Sequence, residues 1–264
     1  MKASTALLGV LEKSATRTEV FTESFKLMYP LVREEIEKLK RALNEKFLDI
    51  LYEVRGESWR SLLTLSALAN AVDYEMKWSS VSTELVCANS GECGIVDSDA
   101  LDLLEDSEEV AILLDNAGEA VVDLALALKL AASGKRVLVI ARGEPYEVDV
   151  TAGEARELAV RVAERIGEKE ALRKIVVLST ESSYPAFAAT SNSVLSASLS
   201  RVDAIVSKGI ANFEAAVDYE FPESGKVIVA LRAKCPPIAE LLGAPLGAPV
   251  IRILSRIRAE RWSV

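Results

Sequence analysis

The 264-residue chain contains no histidine. That absence excludes Ser-His-Asp and Cys-His catalysis, histidine-ligated zinc and any imidazole proton shuttle. Any chemistry that this protein performs must therefore rely on carboxylates, amides, lysines, backbone N–H groups or a bound metal ion.

Cysteine is scarce as well, with only Cys87, Cys93 and Cys235 in the sequence. An odd number at scattered positions is not a disulfide framework, and Cys87 and Cys93 are too far apart for a Cys-x-x-Cys site. We interpret the three residues as thiols in a reducing compartment. A Cys87–Cys93 loop disulfide is left open by the sequence.

No run of about 18 apolar residues, the length needed by a membrane-spanning helix, occurs in the sequence. Lys13 and Arg17 interrupt the first apolar stretch, so we identify no signal peptide. The net charge of −9 argues against non-specific binding to nucleic acid or to an anionic membrane. We therefore expect a cytoplasmic protein that has neither of these as a partner.

The first third of the chain has the pattern of helices. Apolar residues recur at spacings of three and four over residues 18–51, and the Glu and Lys residues between them form a solvated face. Pro30 interrupts this stretch and predicts that a second helix begins there. A further helix is predicted over residues 59–74. Loop residues near position 90 predict a boundary between a helical domain, 1–90, and a second domain, 91–264.

The second domain alternates short apolar runs with helical segments such as 120–132 and 153–166. This alternation predicts an α/β fold with a mainly parallel sheet and right-handed crossovers. The runs are almost continuously apolar, which is typical of strands covered on both faces. The six predicted strands are residues 110–114, 137–140, 175–178, 204–206, 227–231 and 250–254.

Polar residues follow these runs, at the edge of the sheet where a parallel α/β protein carries its functional crevice. Asp115 and Asn116 come after the first run, and Asp149 after the second. Carboxylate and amide oxygens are hard ligands suited to Mg²⁺ or Mn²⁺. These three residues therefore predict an oxygen-only metal site.

The same edge carries features that suit a phosphate group. Gly118 opens a helix, and the N–H groups and positive dipole end of a helix N-terminus favour anions. Lys208 and Lys234 follow two further strands and add positive charge. Together with a metal ion, these groups would supply the charge neutralisation and positioning that phosphoryl transfer needs.

Each of these residues also has a purely structural interpretation. Asp115 and Asp149 are plausible N-caps of the helices that follow them, and so is Asn212. Lys208 would then belong to a simple turn and Lys234 to the solvated surface. The common position of these residues at strand ends favours the functional interpretation.

The sequence LLDNAGE at residues 113–119 resembles the signature of the metal-dependent damage-control phosphatases. Four further blocks fit the same family, so the resemblance spans about residues 60–254. They are NAVDY at 70–74, RGEP at 142–145 with DVT at 149–151, SKGIANFE at 207–214 and LRAKCP at 231–236.

The resemblance implies a Rossmann-like α/β/α domain with a helical domain beside its active site. It implies a divalent cation, such as Mg²⁺, Mn²⁺, Co²⁺ or Ni²⁺, bound by Asp115, Asn116 and Asp149. It also implies hydrolysis of phosphate monoesters of small metabolites, such as sugar phosphates or damaged phosphometabolites.

The remaining site residues follow from the same resemblance. Lys208 and Asn212 would face the substrate phosphate, together with Lys234 and N–H groups near Gly118. Asn70 and Asp73 match a family segment and are assigned to the substrate site. The nucleophile is either a metal-activated water or the Asp115 carboxylate. Glu119 would polarise that water or orient a metal ligand, and the sequence leaves both alternatives open.

The chain departs from the family pattern at a few positions. It lacks the Cys-x-x-Cys segment with which many prokaryotic relatives begin. Ala211 stands where glycine is usual, and Val148 where asparagine often precedes the aspartate, so the pocket is expected to be narrower. Two other functions therefore stay open. One is a non-catalytic protein that binds a metal and a phosphometabolite, and the other, ranked lower, is an S-adenosylmethionine-dependent carboxyl methyltransferase.

Overall fold

The computed structural model of the chain describes residues 2–70, 94–189, 193–221 and 224–261. Asp73, Cys87 and Cys93 lie outside these ranges, so the predictions made for them stay predictions. Among the described helices, none combines the length and the apolar character needed to cross a bilayer.

Within the described residues, seven strands form one sheet in the order β1-β7-β6-β5-β2-β3-β4. Strands β2 to β6 are mutually parallel, whereas β7 runs antiparallel to β6 and pairs in parallel with β1. The six predicted strands are confirmed, and only the two-residue β1 was missed. The bounds are β1 Ile95–Val96, β2 Glu109–Leu113, β3 Arg136–Ala141, β4 Ile175–Ser179, β5 Ala204–Lys208, β6 Val227–Arg232 and β7 Pro249–Ile253.

Helices cover both faces of the sheet, as its apolar strands require. One face carries helices α3 to α6 and the second half of α2, and the other carries α7 to α10. The first six helices are α1 Lys2–Lys13, α2 Arg17–Val54, α3 Trp59–Ala69, α4 Ser98–Asp106, α5 Glu119–Ala132 and α6 Ala152–Ile166. The other four are α7 Ser193–Arg201, α8 Gly209–Asp218, α9 Pro236–Leu242 and α10 Leu254–Arg261.

The topology identifies where a ligand would bind. The strand order reverses at β2, which has β3 on one side and β5 on the other. In doubly wound sheets the crevice opens at such a reversal, beyond the carboxyl ends of the strands. The loops after β2, β3 and β5 therefore converge on one place.

Helix α2 is a single helix of 38 residues, so the prediction of a second helix beginning at Pro30 was wrong. At 1.5 Å per residue it is about 57 Å long, enough to span a small domain. Its second half is fixed by apolar packing of Phe47, Leu48 and Leu51, which are fully buried. Because this half is anchored and residues on both sides of Pro30 are helical, the helix continues across the proline. Helix propensity alone would place a helix boundary there.

The predicted division into domains 1–90 and 91–264 stays a prediction, because the boundary falls among residues outside the described ranges. What the structure shows is a shared core. Phe47 of α2 and Leu62 and Leu65 of α3 belong to the same apolar cluster as Val110 and Ile112 of β2. The described helical residues thus form part of a layer on the sheet.

Replacing Pro30 with alanine is expected to stabilise the protein. Proline removes the hydrogen bond to the carbonyl four residues earlier, that of Lys26, and costs a helix interior about 3 kcal/mol. We expect Pro30→Ala to raise the free energy of unfolding in urea by about 1–3 kcal/mol. The control is Leu31→Ala at the neighbouring exposed position. A Pro30→Ala variant less stable than this control would show that the proline is not a source of strain.

Candidate functional site

The loops after β2 and β3 are joined by their backbones. The Val150 N–H donates to the Asp115 carbonyl at 3.0 Å, and Asn116 and Asp149 form an isolated antiparallel bridge. The three predicted metal ligands are therefore neighbours in space, although 33 residues separate Asn116 from Asp149 in the sequence.

Three carboxylates are buried at this junction: Asp115 is 4% exposed, Glu119 2% and Asp149 3%. Asn70, at the end of α3, donates from Nδ2 to Asp115 Oδ2 at 3.2 Å and to Glu119 Oε1 at 3.0 Å. Asn70 thus joins the predicted site, and it connects the helical segment directly to the acidic cluster.

Glu119 is hydrogen-bonded to Asn116, and both roles predicted for Glu119 stay predictions. Its Oε1 accepts from the Asn116 backbone N–H at 2.9 Å and from Asn116 Nδ2 at 3.3 Å. Asn116 Nδ2 also donates to Asp115 Oδ2 at 3.0 Å. The Asn116 NH₂ group is thus held by two carboxylates.

Burial dominates the electrostatics of the cluster. It raises the pKa of Asp115 well above the ordinary range, and the charges of Asp149 and Glu119 raise it further, whereas Lys234 and Arg142 lower it. Burial also raises the pKa of Asp149, opposed by Arg142. Buried like charges of this kind are costly unless a cation compensates them. Lys234 was predicted as a site residue from its position after β6. Its positive charge is one of the two that lower the pKa of Asp115.

The donor set fits a divalent cation of the hard class. The described residues hold no group of three His, Cys, Asp or Glu side chains that could bind a metal by themselves. The predicted set instead contains two carboxylates and an amide, which are ligands that Mg²⁺ and Mn²⁺ accept alongside water or phosphate oxygens. In addition, the buried Glu119 Oε2 has no hydrogen-bond partner among the described residues.

Arg142 is a site residue that the predicted set omitted. Its Nε donates to Asp149 Oδ2, its Nη1 donates to the Ser183 carbonyl, and its guanidinium lies 4.2 Å from the centre of the Tyr146 ring. It is buried and fixes the orientation of Asp149. Arg142 could have been predicted from the sequence, because it follows β3 directly and begins the RGEP block.

Gly209, at the start of α8, allows Asp115 its position. Its φ is +74°, and a Cβ built there would overlap Asp115 Oδ2 and lie 2.8 Å from Oδ1. Only glycine tolerates both this backbone conformation and this approach. The chain changes direction at Lys208-Gly209, where β5 ends and α8 begins. The missing side chain of Gly209 leaves space for the Asp115 carboxylate.

Lys208, the last residue of β5, is fully buried. Its fully buried amine donates to the Ser66 carbonyl at 2.8 Å and lies 3.6 Å from Asp123 Oδ1. Asp123 is fully buried one turn after Glu119 on α5, and it accepts a hydrogen bond from Ser66 Oγ. The structure therefore shows a buried ion pair where the sequence predicted a phosphate ligand and catalytic lysine.

The predicted phosphate contacts of Asn212 and Gly118 also differ from the contacts observed. Asn212 Nδ2 donates to the Leu114 and Lys208 carbonyls at 3.0 and 2.9 Å, which ties the ends of β2 and β5 together. The Gly118 N–H donates to Asn44 Oδ1 of α2 at 2.8 Å. In both cases the N–H group predicted to contact phosphate donates to an oxygen atom of the protein instead. The spacing of residues in the sequence does not reveal these acceptors.

The capping alternatives are also excluded by the described helices. Helix α5 has Gly118 as its N-cap, not Asp115. Helix α6 is capped by Thr151, which forms a capping box with Glu154, so Asp149 is not the cap. Asn212 lies inside α8, whose N-cap is Lys208. Asp115 and Asp149 are therefore buried carboxylates without a capping role.

Replacing Asp123 with asparagine is expected to weaken the pH dependence of stability. Burial raises the pKa of Asp123 from 3.8 to about 7, against the opposing effect of Lys208. Between these values the folded protein holds a proton that the unfolded chain has lost. The stability that this proton contributes is present near pH 4 and is lost as the pH rises toward about 7.

The measurement is the Tm in chelator at pH 5 and pH 8. We expect the Tm of the wild type to fall more steeply between these values than that of Asp123→Asn. Parallel changes in the two proteins would show that Asp123 keeps an ordinary pKa.

The fold and the cluster define a class: α/β/α proteins with buried carboxylates at the switch point of a mainly parallel sheet. Residues 15–250 match the family described as the damage-control phosphatase ARMT1-like domain. The chain belongs to this family, formerly DUF89. The family resemblance predicted from the sequence blocks is confirmed.

Individual proteins are similar to the chain as well. The uncharacterized protein MJ0202 of Methanocaldococcus jannaschii is 24% identical over 226 residues, which cover 81% of this chain and 71% of that protein. A crystal structure of a DUF89 family protein from Pyrococcus horikoshii has a TM-score of 0.75 at 18% identity, covering 96% of this chain and 89% of that one. The second similarity confirms the predicted fold class.

Proposed function

We propose that this protein is a metal-dependent phosphatase that hydrolyses phosphate monoesters of small metabolites. The observation that carries the proposal is the close association of Asp115, Asn116 and Asp149 at the switch point, where both carboxylates are buried. Membership in a damage-control phosphatase family supports the same chemistry.

Asp115, Asn116 and Asp149 would hold one divalent cation. When bound, such an ion polarises a phosphoryl oxygen and offsets the charge that develops during transfer. Glu119 and Asn70 fix the orientation of these ligands through their hydrogen bonds.

Arg142 and Lys234 have distinct roles in this proposal. Arg142 holds Asp149 in place through its Nε. Lys234, whose charge acts on Asp115, is the cation best placed to attract a phosphate dianion. Lys208 is paired with the buried Asp123 and has a structural role in this proposal, with no contact to substrate.

The test is a screen for phosphate release. Chelator-treated protein is supplied with Mg²⁺, Mn²⁺, Co²⁺ or Ni²⁺ and with a panel of small phosphate monoesters. We expect release of inorganic phosphate with at least one metal and none in chelator. Release at the same rate in chelator would contradict the metal dependence.

The same screen addresses the alternative functions. Binding of a phosphorylated compound without release in any metal would favour a non-catalytic binding protein. Calorimetric binding of S-adenosylmethionine would be needed to retain the methyltransferase alternative.

A further inference from the structure

One turn of α2 carries two buried polar side chains, Lys40 and Asn44. Lys40 is 2% exposed and Asn44 8%. At a spacing of four residues, the two lie on the same face of the helix. Lys40 belongs to the Glu and Lys residues of this stretch that the sequence predicted to be solvated, and that prediction is wrong for it. Buried polar groups are costly unless they are hydrogen-bonded, so the partners of these two side chains indicate what they do.

Asn44 contacts the helix that follows the first ligand loop. Its Oδ1 accepts from the Gly118 N–H at 2.8 Å. Gly118 is the N-cap of α5 and lies two residues after the proposed ligand Asn116. A Cβ built on Gly118 would lie 3.1 Å from Cδ2 of Phe47, so α2 packs directly on this backbone. The loop that carries Asn116 is therefore positioned against α2.

Lys40 makes the corresponding contact after the second ligand loop. Its Nζ donates to Glu154 Oε2 at 2.8 Å. The same oxygen accepts from the Thr151 N–H at 2.7 Å and from Thr151 Oγ1 at 2.8 Å. Thr151 is the N-cap of α6 and lies two residues after the proposed ligand Asp149. The positive charge of Lys40 also lowers the pKa of Asp149, so it acts on the ligand itself.

We propose that Lys40 and Asn44 are positioning residues of the metal site. Each holds the N-cap of a helix that follows one ligand loop, so a single turn of α2 fixes the Asn116 and Asp149 loops relative to each other. The inference rests on the proposed function, because it concerns how the ligands of the divalent cation are held. Neither residue lies in a sequence block that resembles the family.

Stability alone does not account for the polar character of this turn. The buried positions that follow it on α2, such as Phe47, Leu48 and Leu51, are apolar. A buried ion pair is often no more stabilising than well-packed apolar residues, whereas its hydrogen bonds have a preferred length and direction. Groups that orient metal ligands without touching the metal change its affinity by about 10- to 100-fold when they are replaced.

The test uses two variants that keep the net charge, because a change of charge would itself alter the affinity for a cation. Asn44→Leu removes the acceptor of the Gly118 N–H. Lys40→Met combined with Glu154→Gln removes the ion pair, and glutamine at this helix position preserves a capping box. We expect each variant to weaken calorimetric binding of Mn²⁺ by about tenfold or more. In chelator, the Tm of the double variant should stay close to that of the wild type.

A matched control removes a different ion pair between the same two helices. Arg161 of α6 lies 2.8 Å from Glu45 of α2, and the two side chains are 45% and 58% exposed. Arg161→Met combined with Glu45→Gln also keeps the net charge, and an exposed pair of this kind contributes little to stability. We expect this control to bind Mn²⁺ with the affinity of the wild type.

The possible results separate the inference from the proposed function. Wild-type affinity in either test variant would overturn the role of the residue that it replaces and leave the proposed function intact. Weaker binding together with a Tm lower by several degrees in the Lys40 double variant would show that the ion pair serves stability, and would overturn its positioning role. A wild type that binds no Mn²⁺ would contradict the proposed function and this inference with it.

Discussion

The Asp115→Asn variant is expected to lose metal-dependent phosphate release by about a thousandfold while becoming more stable without metal. The carboxylate would supply one charged ligand to the cation, and charge stabilisation of this kind contributes several kcal/mol, with about 1.4 kcal/mol for each factor of ten in rate. Asparagine keeps the shape of the side chain, so the loss would report on charge.

The gain in stability follows from the same burial. Desolvation and the neighbouring charges of Asp149 and Glu119 raise the pKa of Asp115, which means that its charged form is unfavourable in the folded protein. A neutral amide removes that penalty. We therefore expect a higher Tm in chelator at pH 8 for Asp115→Asn than for the wild type.

The control for both readouts is Asp102→Asn, which makes the same change at an exposed position on α4. It should alter neither the rate nor the Tm. An Asp115→Asn variant that keeps its rate, or that loses rate together with several degrees of Tm, would assign Asp115 a structural function instead.

The Gly209→Ala variant is expected to show a loss of activity of about a hundredfold or more, although it replaces none of the proposed ligands. A methyl group at this position would overlap the Asp115 carboxylate, and the φ of +74° disfavours any residue with a Cβ. The carboxylate must move away, and displacements of about 1 Å in an active site cost about a hundredfold in rate.

This variant should also bind metal more weakly, since the displaced group is a proposed ligand. Phosphate release and a calorimetric metal titration measure the two effects. Gly153→Ala, on α6, is the matched control because its added methyl group would make only one contact, at 3.9 Å. Wild-type affinity for metal in Gly209→Ala would show that Asp115 is not a ligand.

Much of the sheet could be predicted because strands covered on both faces are short, continuous apolar runs. The runs ending near Leu113, Ile140 and Val206 are of this kind, and each is a strand in the structure. Parallel strands then place their carboxyl ends together, which is why Asp115 and Asp149 could be predicted as neighbours. This inference depends on topology alone.

The directions of individual side chains could not be predicted in the same way. Lys208 and Asn212 follow a strand at the right edge, but their donors are taken by Ser66 and Leu114, which are distant in the sequence. Arg142 was overlooked because a cation after a strand is indistinguishable from a surface arginine until its carboxylate partner is known. The deciding contacts of Lys208 and Asn212 span 142 and 98 residues, whereas Arg142 pairs with a carboxylate seven residues later.

Pro30 shows a different limit. A proline in an amphipathic stretch predicts a boundary, because local propensity penalises it by about 3 kcal/mol. The burial of Phe47, Leu48 and Leu51 fixes the second half of α2 regardless of that penalty. The prediction that a second helix begins at Pro30 was therefore wrong, because the local signal does not include this burial.

The central claim is that Asp115, Asn116 and Asp149 bind one divalent cation that phosphate release requires. The most direct test is a calorimetric titration of Mn²⁺ into chelator-treated wild type, Asp115→Asn, Asp149→Asn and Asp102→Asn. We predict one ion per chain for the wild type and Asp102→Asn, and binding weakened by at least about a hundredfold in the other two variants. Equal Mn²⁺ affinity in all four proteins would contradict the account.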